Sequence, residues 1–258
     1  MKDVTSSAKV TRVGAAAHGP AATVCYKTAA SPMRTDIVVV IPAYCCAASI
    51  ADVVRGARRY IGTVIVVDDG STDRTADLAR GAGATVESLP VNRGKGAALR
   101  RGLELALERA PSAVLLMDGD GQHDPEDIPA LLAGWDGGRG DLVIGSRWSE
   151  RDKMPGARFW TNYIGSRALS WMTGFAELED TQSGFRLLGA GLAARLRLRS
   201  DGYAIESEML IRSSQLGARL VFVPVRAIYG DSPSHFRPLL DTWRIMWQSM
   251  CCKVFGDP

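Results

Sequence analysis

The sequence predicts an α/β fold with a mostly parallel central sheet flanked by helices, and three observations carry that reading. Apolar runs rich in branched residues recur without alternation at 37–41, 64–67 and 113–117, as in strands buried on both faces. Stretches of helical periodicity separate them. Aspartate and glycine clusters such as Asp68-Asp69-Gly70 follow the strand ends, where open α/β sheets hold their ligands.

Residues 1–34 are poor in large apolar side chains and close on Pro32, so a flexible leader is expected there. Residues 35–258 are read as one domain, in two halves at 35–147 and 148–258. Strand 37–41 leads to a helix at 47–60. Strand 64–67 leads to a helix at 73–82, for which Ser71 or Thr72 supplies a cap. A short strand at 84–88 precedes a helix at 94–109, and strand 113–117 precedes a helix at 125–134, which Pro125 suits as a first-turn residue. Strand 142–144 follows. Beyond Arg147 the rhythm changes. Trp160, Tyr163, Ile164, Trp171 and Met172 fall on a helical stripe, then come a helix at 205–216 and a strand at 219–225. Phe236, Leu239, Leu240, Trp243, Met246, Trp247 and Met250 form a second apolar stripe with Arg237, Asp241, Arg244 and Gln248 between them. Such amphipathic helices suit packing on a core, and their tryptophans also suit a lipid surface.

Composition excludes several classes. With 31 basic and 28 acidic side chains the net charge of the 258 residues is only +3, which argues against nucleic-acid binding by bulk charge. A hydrophobic fraction of 46% with 23% charged is that of a folded chain. No apolar window approaches the ~20 residues of a membrane span. The N-terminus lacks the apolar centre of a secretory signal, so the cytoplasm is the expected location. Of the five cysteines, Cys45-Cys46 and Cys251-Cys252 are adjacent pairs and Cys25 stands apart. That spacing suits neither a staple nor a C-x-x-C site, and reduced thiols are expected.

The chemistry concentrates in Met117-Asp118-Gly119-Asp120-Gly121-Gln122-His123-Asp124. In extended backbone i and i+2 point the same way, so Asp118 and Asp120 can converge on one cation, with Gln122 adding a neutral oxygen at the next step. Such hard oxygen donors suit Mg²⁺ or Mn²⁺ with positions left for phosphate. His123 has the right chemistry for a ligand, although an isolated histidine beside a turn more often only hydrogen-bonds. At the other acidic strand end, a carboxylate of Asp68 or Asp69 can accept from a nucleobase N–H or a ribose hydroxyl. Asn92-Arg93-Gly94-Lys95-Gly96 opens a helix with a flexible cationic loop, a cradle for diphosphate. The absence of G-x-x-x-x-G-K-[ST], and of a third glycine after Gly81-Ala82-Gly83, argues against P-loop NTPases and dehydrogenases.

Six motifs in order then carry a resemblance: Ile41-Pro42-Ala43-Tyr44, Val67-Asp68-Asp69-Gly70-Ser71, Arg93-Gly94-Lys95-Gly96, the stretch from Met117 through Asp124 to Pro125, Gly145-Ser146-Arg147, and Asp180-Thr181-Gln182-Ser183-Gly184-Phe185-Arg186. Over about residues 35–240 the chain resembles the family 2 glycosyltransferases of GT-A fold, in particular the dolichol-phosphate or polyprenyl-phosphate mannosyltransferase branch. The resemblance implies that Pro42, Tyr44 and Asp69 line the nucleobase and ribose pocket, that Lys95 lies near the donor, and that Asp118, Asp120 and Gln122 hold the metal. It implies further that Arg147 and Arg158 meet an acceptor phosphate, that Glu208 matches a carboxylate on the acceptor side, and that Arg237 belongs to a late loop over the diphosphate. Asp120, Arg147 and Glu208 are thus the candidate catalytic residues. Cys45-Cys46 departs from the Asn-Glu that the family usually carries after P-x-Y.

The implied activity is metal-dependent, inverting transfer of a hexose from a UDP- or GDP-sugar. A lipid-phosphate acceptor is already anionic, whereas a hydroxyl acceptor needs a base, for which Glu208 is the candidate. Peripheral contact with the inner face of the cell membrane through the aromatic stripes is part of the same expectation. Two other classes compete. A sugar-1-phosphate nucleotidyltransferase lacks support because the first strand ends in Pro42-Ala43-Tyr44 rather than a glycine-rich loop. A non-catalytic nucleotide-sugar-binding scaffold is what Cys45-Cys46 would suit.

Overall fold

The computed structural model describes residues 9–11, 33–136, 138, 140–148, 156–175, 178–226 and 228. The β-branched run after Arg34 builds β2 (Arg34–Ala43), buried from Ile37 onward. It pairs in parallel with β3 (Ile61–Asp68) on one side and with β5 (Ala113–Leu116) on the other, and β4 (Thr85–Ser88) continues in parallel beyond β3. On the far side of β5 lies β7 (Arg186–Gly189), antiparallel both to β5 and to β6 (Leu142–Ser146). Next, β8 (Leu220–Pro224) runs parallel to β6, and β1 (Lys9–Thr11) closes that edge antiparallel to β8. The order is β1-β8-β6-β7-β5-β2-β3-β4.

Successive strand residues face opposite sides, and the two cores follow from that. Val38, Val40, Ile65 and Val67 join one core, covered by α3 (Lys95–Leu107), α6 (Ala190–Ala193), α7 (Ile205–Gln215) and Leu169 of α5 (Gly156–Thr173). Ile37, Val39, Ile41, Val64 and Val66 join the other, covered by α1 (Ile50–Arg58), α2 (Thr75–Gly81) and α4 (Ile128–Asp136).

Several boundaries differ from the sequence expectation. The helix expected from residue 47 starts at Ile50, because the amides of Cys46 and Ala47 go to the side chains of Thr75 and Asp73 at 2.8 and 3.1 Å. The helix expected from 125 opens as a 3₁₀ turn at Pro125–Asp127, where Asp124 accepts the Glu126 amide at 2.9 Å. β7 was not expected at all. Within the segment read as a flexible leader, Lys9–Thr11 form β1. The second apolar stripe, from Phe236 to Met250, lies outside the described residues.

The topology gathers the chemistry on one rim. The parallel strands deliver Tyr44 after β2, Asp69 after β3 and Asp118 after β5. β7 is antiparallel to both β5 and β6, so β6 runs the same way as β5 and delivers Arg147 to that rim, while β7 sets out from it at Arg186.

Candidate functional site

The loops after β2 and β3 are tied together before any ligand is considered. Cys45, at φ 51°, donates its amide to Ser71 Oγ at 2.9 Å. Asp68 accepts the Ser71 amide at 3.2 Å. Asp69, buried, spends its two oxygens on the amides of Arg93 and Gly94 at 2.8 and 2.7 Å. Gly94 holds φ 93°, a conformation that side chains disfavour, and α3 starts immediately after it with Lys95. Asp69 therefore shapes the cationic loop, and its remaining lone pairs are the ones left for a ligand. Pro42 is buried at the end of β2 and Tyr44 is exposed beside it. The Cys46 thiol, which donates to the Tyr44 carbonyl at 3.3 Å, is pushed up to about 11, chiefly by burial, with the carboxylates of Asp120, Asp118 and Asp73 adding to the effect.

At the centre of the rim stands a charge cluster. Lys95 Nζ lies 2.7 Å from Asp118 Oδ1 and 2.6 Å from Glu206 Oε1, with the Tyr203 ring 5.8 Å away. Burial alone would lower the ammonium pKa, but the two carboxylates outweigh it and raise it. Burial would likewise raise Asp118, yet Lys95 and His123 hold it well below the usual carboxylate range. His123 Nε2 is 3.3 Å from Asp118 Oδ2, and its ring stacks on Phe185 at 5.1 Å. Gly184 is packed so closely on this carboxylate that a Cβ there would fall on Asp118 Oδ2. Among the described residues, Glu206 Oε2 and His123 Nδ1 are buried without a hydrogen-bond partner.

The donor set fits a divalent ion of a particular kind. Asp118 is engaged by Lys95 and His123, and Asp120 accepts the Gln122 amide at 3.0 Å. Among the described residues no group of three or more His, Cys, Asp or Glu side chains converges as a cage. Asp118 and Asp120 have the hard oxygen donors that suit a divalent ion, and an ion held by two carboxylates would need substrate phosphates to complete its shell.

A second charged pair on the rim is built on Arg147. Its guanidinium grips the fully buried Asp180 through Nε at 2.7 Å and a terminal nitrogen at 3.0 Å, and its amide adds a third bond at 3.1 Å. Ser146 donates to Glu179 at 2.9 Å, and Trp148 stacks on Tyr163 of α5 at 6.3 Å.

Glu208, the expected acceptor-side carboxylate, is buried, and its oxygens accept the amides of Arg199 and Ser200 at 2.8–3.0 Å, with Arg212 Nε 3.8 Å away. Positions two apart on a helix diverge by roughly 200°, so it is Glu206, not Glu208, that meets Lys95. The sequence signal was present: two acids in the first turn of α7, of which only the one sharing a face with the rim can join the site. Arg158 lies in α5 with its side chain outside the described residues, and Arg237 lies outside them altogether.

Comparison with known proteins follows the same lines. Residues 38–190 match the family model described as Glycosyl transferase family 2. Glycosyltransferase AglJ of Haloferax volcanii is 34% identical over 75% of this chain and 63% of its own length, so the chain spans less than two thirds of that relative. Undecaprenyl-phosphate mannosyltransferase of Micrococcus luteus is 36% identical over 63% of this chain and 70% of its own. Glucosyl-3-phosphoglycerate synthase from Mycobacterium tuberculosis, crystallised with Mn²⁺, UDP-glucose and phosphoglyceric acid, superposes with a TM-score of 0.66 at 25% identity over 87% of this chain and 81% of the other.

Proposed function

Because the chain belongs to glycosyl transferase family 2, we propose that it moves a hexose from a UDP- or GDP-sugar to a polyprenyl phosphate, inverting the anomeric carbon. The observation that carries this reading is the Lys95 ammonium held between Asp118 and Glu206 at the strand-end rim, with the half-buried Arg147 guanidinium, paired to buried Asp180, on the same rim. The name of the Micrococcus luteus relative supports the lipid acceptor, and the ligands of the mycobacterial synthase support a nucleotide-sugar donor.

In this mechanism Pro42 and Tyr44 flank the base and ribose, and Asp69 keeps the 93–95 loop in place for the diphosphate. Asp118 and Asp120, with Gln122 beside them, would hold a Mg²⁺ or Mn²⁺ ion, which supplies positive charge at the leaving diphosphate. Lys95 adds its own charge there, and the family resemblance assigns Arg237 to the same diphosphate. Arg147 and Arg158 orient the acceptor phosphate, whose oxygen is already anionic and attacks without a base. The new bond from that oxygen to the anomeric carbon forms as the bond to the diphosphate breaks, and the nucleoside diphosphate departs. Trp171, 82% exposed on α5, and Tyr163 on the same face support peripheral contact with the inner face of the cell membrane; among the described residues no helix is long and apolar enough to cross it.

The deciding experiment incubates the protein with labelled UDP- and GDP-sugars, polyprenyl phosphate and Mn²⁺, then partitions the products. Label in the organic phase from one donor is expected. Tight donor binding with no label transferred to any acceptor would instead support a nucleotide-sugar-binding scaffold.

A further inference from the structure

Arg186 opens β7 between the strand leading to Asp118 and the strand leading to Arg147, with Leu116 and Ile144 as its register partners. Its side chain is 1% exposed, the largest fully buried one in the described chain. Every hydrogen bond it makes goes to a neutral main-chain carbonyl: Nε to Ser183 at 2.8 Å and the terminal nitrogens to Thr181 and Glu206, both at 2.7 Å. Burying a guanidinium only to hold carbonyls is costly, and hydroxyls or amides could do the same. The surrounding charge explains the choice. Lys95 faces Asp118 and Glu206, so this cluster holds two carboxylates to one ammonium, with the His123 ring also on Asp118. Burial lowers the pKa of the Arg186 guanidinium, and the carboxylates of Glu206, Asp180 and Asp118 oppose that through space.

We propose that Arg186 is a positioning residue for both substrates. Its fork fixes the 181–183 turn beside Asp180, and with it Arg147, while also fixing the first turn of α7, and with it Glu206 and Lys95. Its charge balances the carboxylate excess that would otherwise repel a diphosphate. The inference rests on the transferase reading and deepens it, since one guanidinium links the donor arm to the acceptor arm.

Charge and geometry separate in two substitutions. Arg186→Met removes the charge and should weaken binding of UDP or GDP, whichever the wild type prefers with Mn²⁺, by about tenfold in calorimetry. Arg186→Lys keeps the charge but not the fork. It should hold the nucleoside-diphosphate Kd within about threefold while kcat falls about a hundredfold, as misplaced groups do. Adding Glu206→Gln to Arg186→Met removes the excess negative charge and should restore the Kd to within about threefold of wild type, a rescue that a merely structural arginine would not permit. A double variant binding no better than Arg186→Met, or an Arg186→Lys enzyme with wild-type kcat, overturns the proposal. If the wild type binds neither nucleotide, the transferase reading fails. The positioning is then decided by amide exchange in Arg186→Lys, which must rise in 179–185 and 203–208 together and stay unchanged in β2 and β3.

Discussion

Single side chains on the rim differ in what they can do because of what already holds them. Asp118 is engaged at both oxygens by Lys95 and His123, so Asp118→Asn should lower transfer at least a hundredfold while circular dichroism stays native. Cys46 is a contrasting case. Its thiol, raised to about 11 mainly by burial, is neutral in the fold at pH 8 and should react with iodoacetamide far more slowly than after denaturation, as peptide mass spectrometry would read. The sign of the linkage follows. Above the ordinary thiol value near ~8.5 the unfolded chain releases a proton that the folded chain keeps, so stability falls from there up to about pH 11. Cys46→Ala should remove that part of the alkaline loss.

Elements explain which of these side chains could be recognised in advance. β2, β3 and β5 were legible because strands buried on both faces must be continuous apolar runs, and the acids after them stand out against that background. β7 was hidden, since Arg-Leu-Leu-Gly is short and begins with a charge that sequence patterns assign to the surface. Of the two acids of α7 it is Glu206 that meets Lys95, and spacing alone does not say which helix face meets the rim. Substitution separates their jobs. Glu206→Gln should cut turnover with little change in Tm, whereas Glu208→Gln should cost about 1–3 kcal/mol of stability through its amide bonds and leave each folded molecule active. Gly94→Ala forces a side chain into φ 93° against the Asp201 carbonyl, a cost of about 1–2 kcal/mol from the backbone alone, and nucleotide titration should show weaker binding.

At the scale of the molecule, the stretches before and after residue 147 share one sheet. β7 from the second half lies between β5 and β6 from the first, so neither half owns a complete set of paired strands. A fragment ending at residue 147 should therefore show no cooperative melting transition and should aggregate through the bared edges of β5 and β6, while the whole chain melts in one step. Fold class and rim were readable from the order of strands and acids. The interleaving was not, because it depends on pairings between distant segments.

The pairing of β1 with β8 gives that dependence a direction in time. Of the described strands, β1 is made before and β8 after all the others, and a strand without its partner is a point of exposure during synthesis. The sheet can close at this edge only once β8 has emerged.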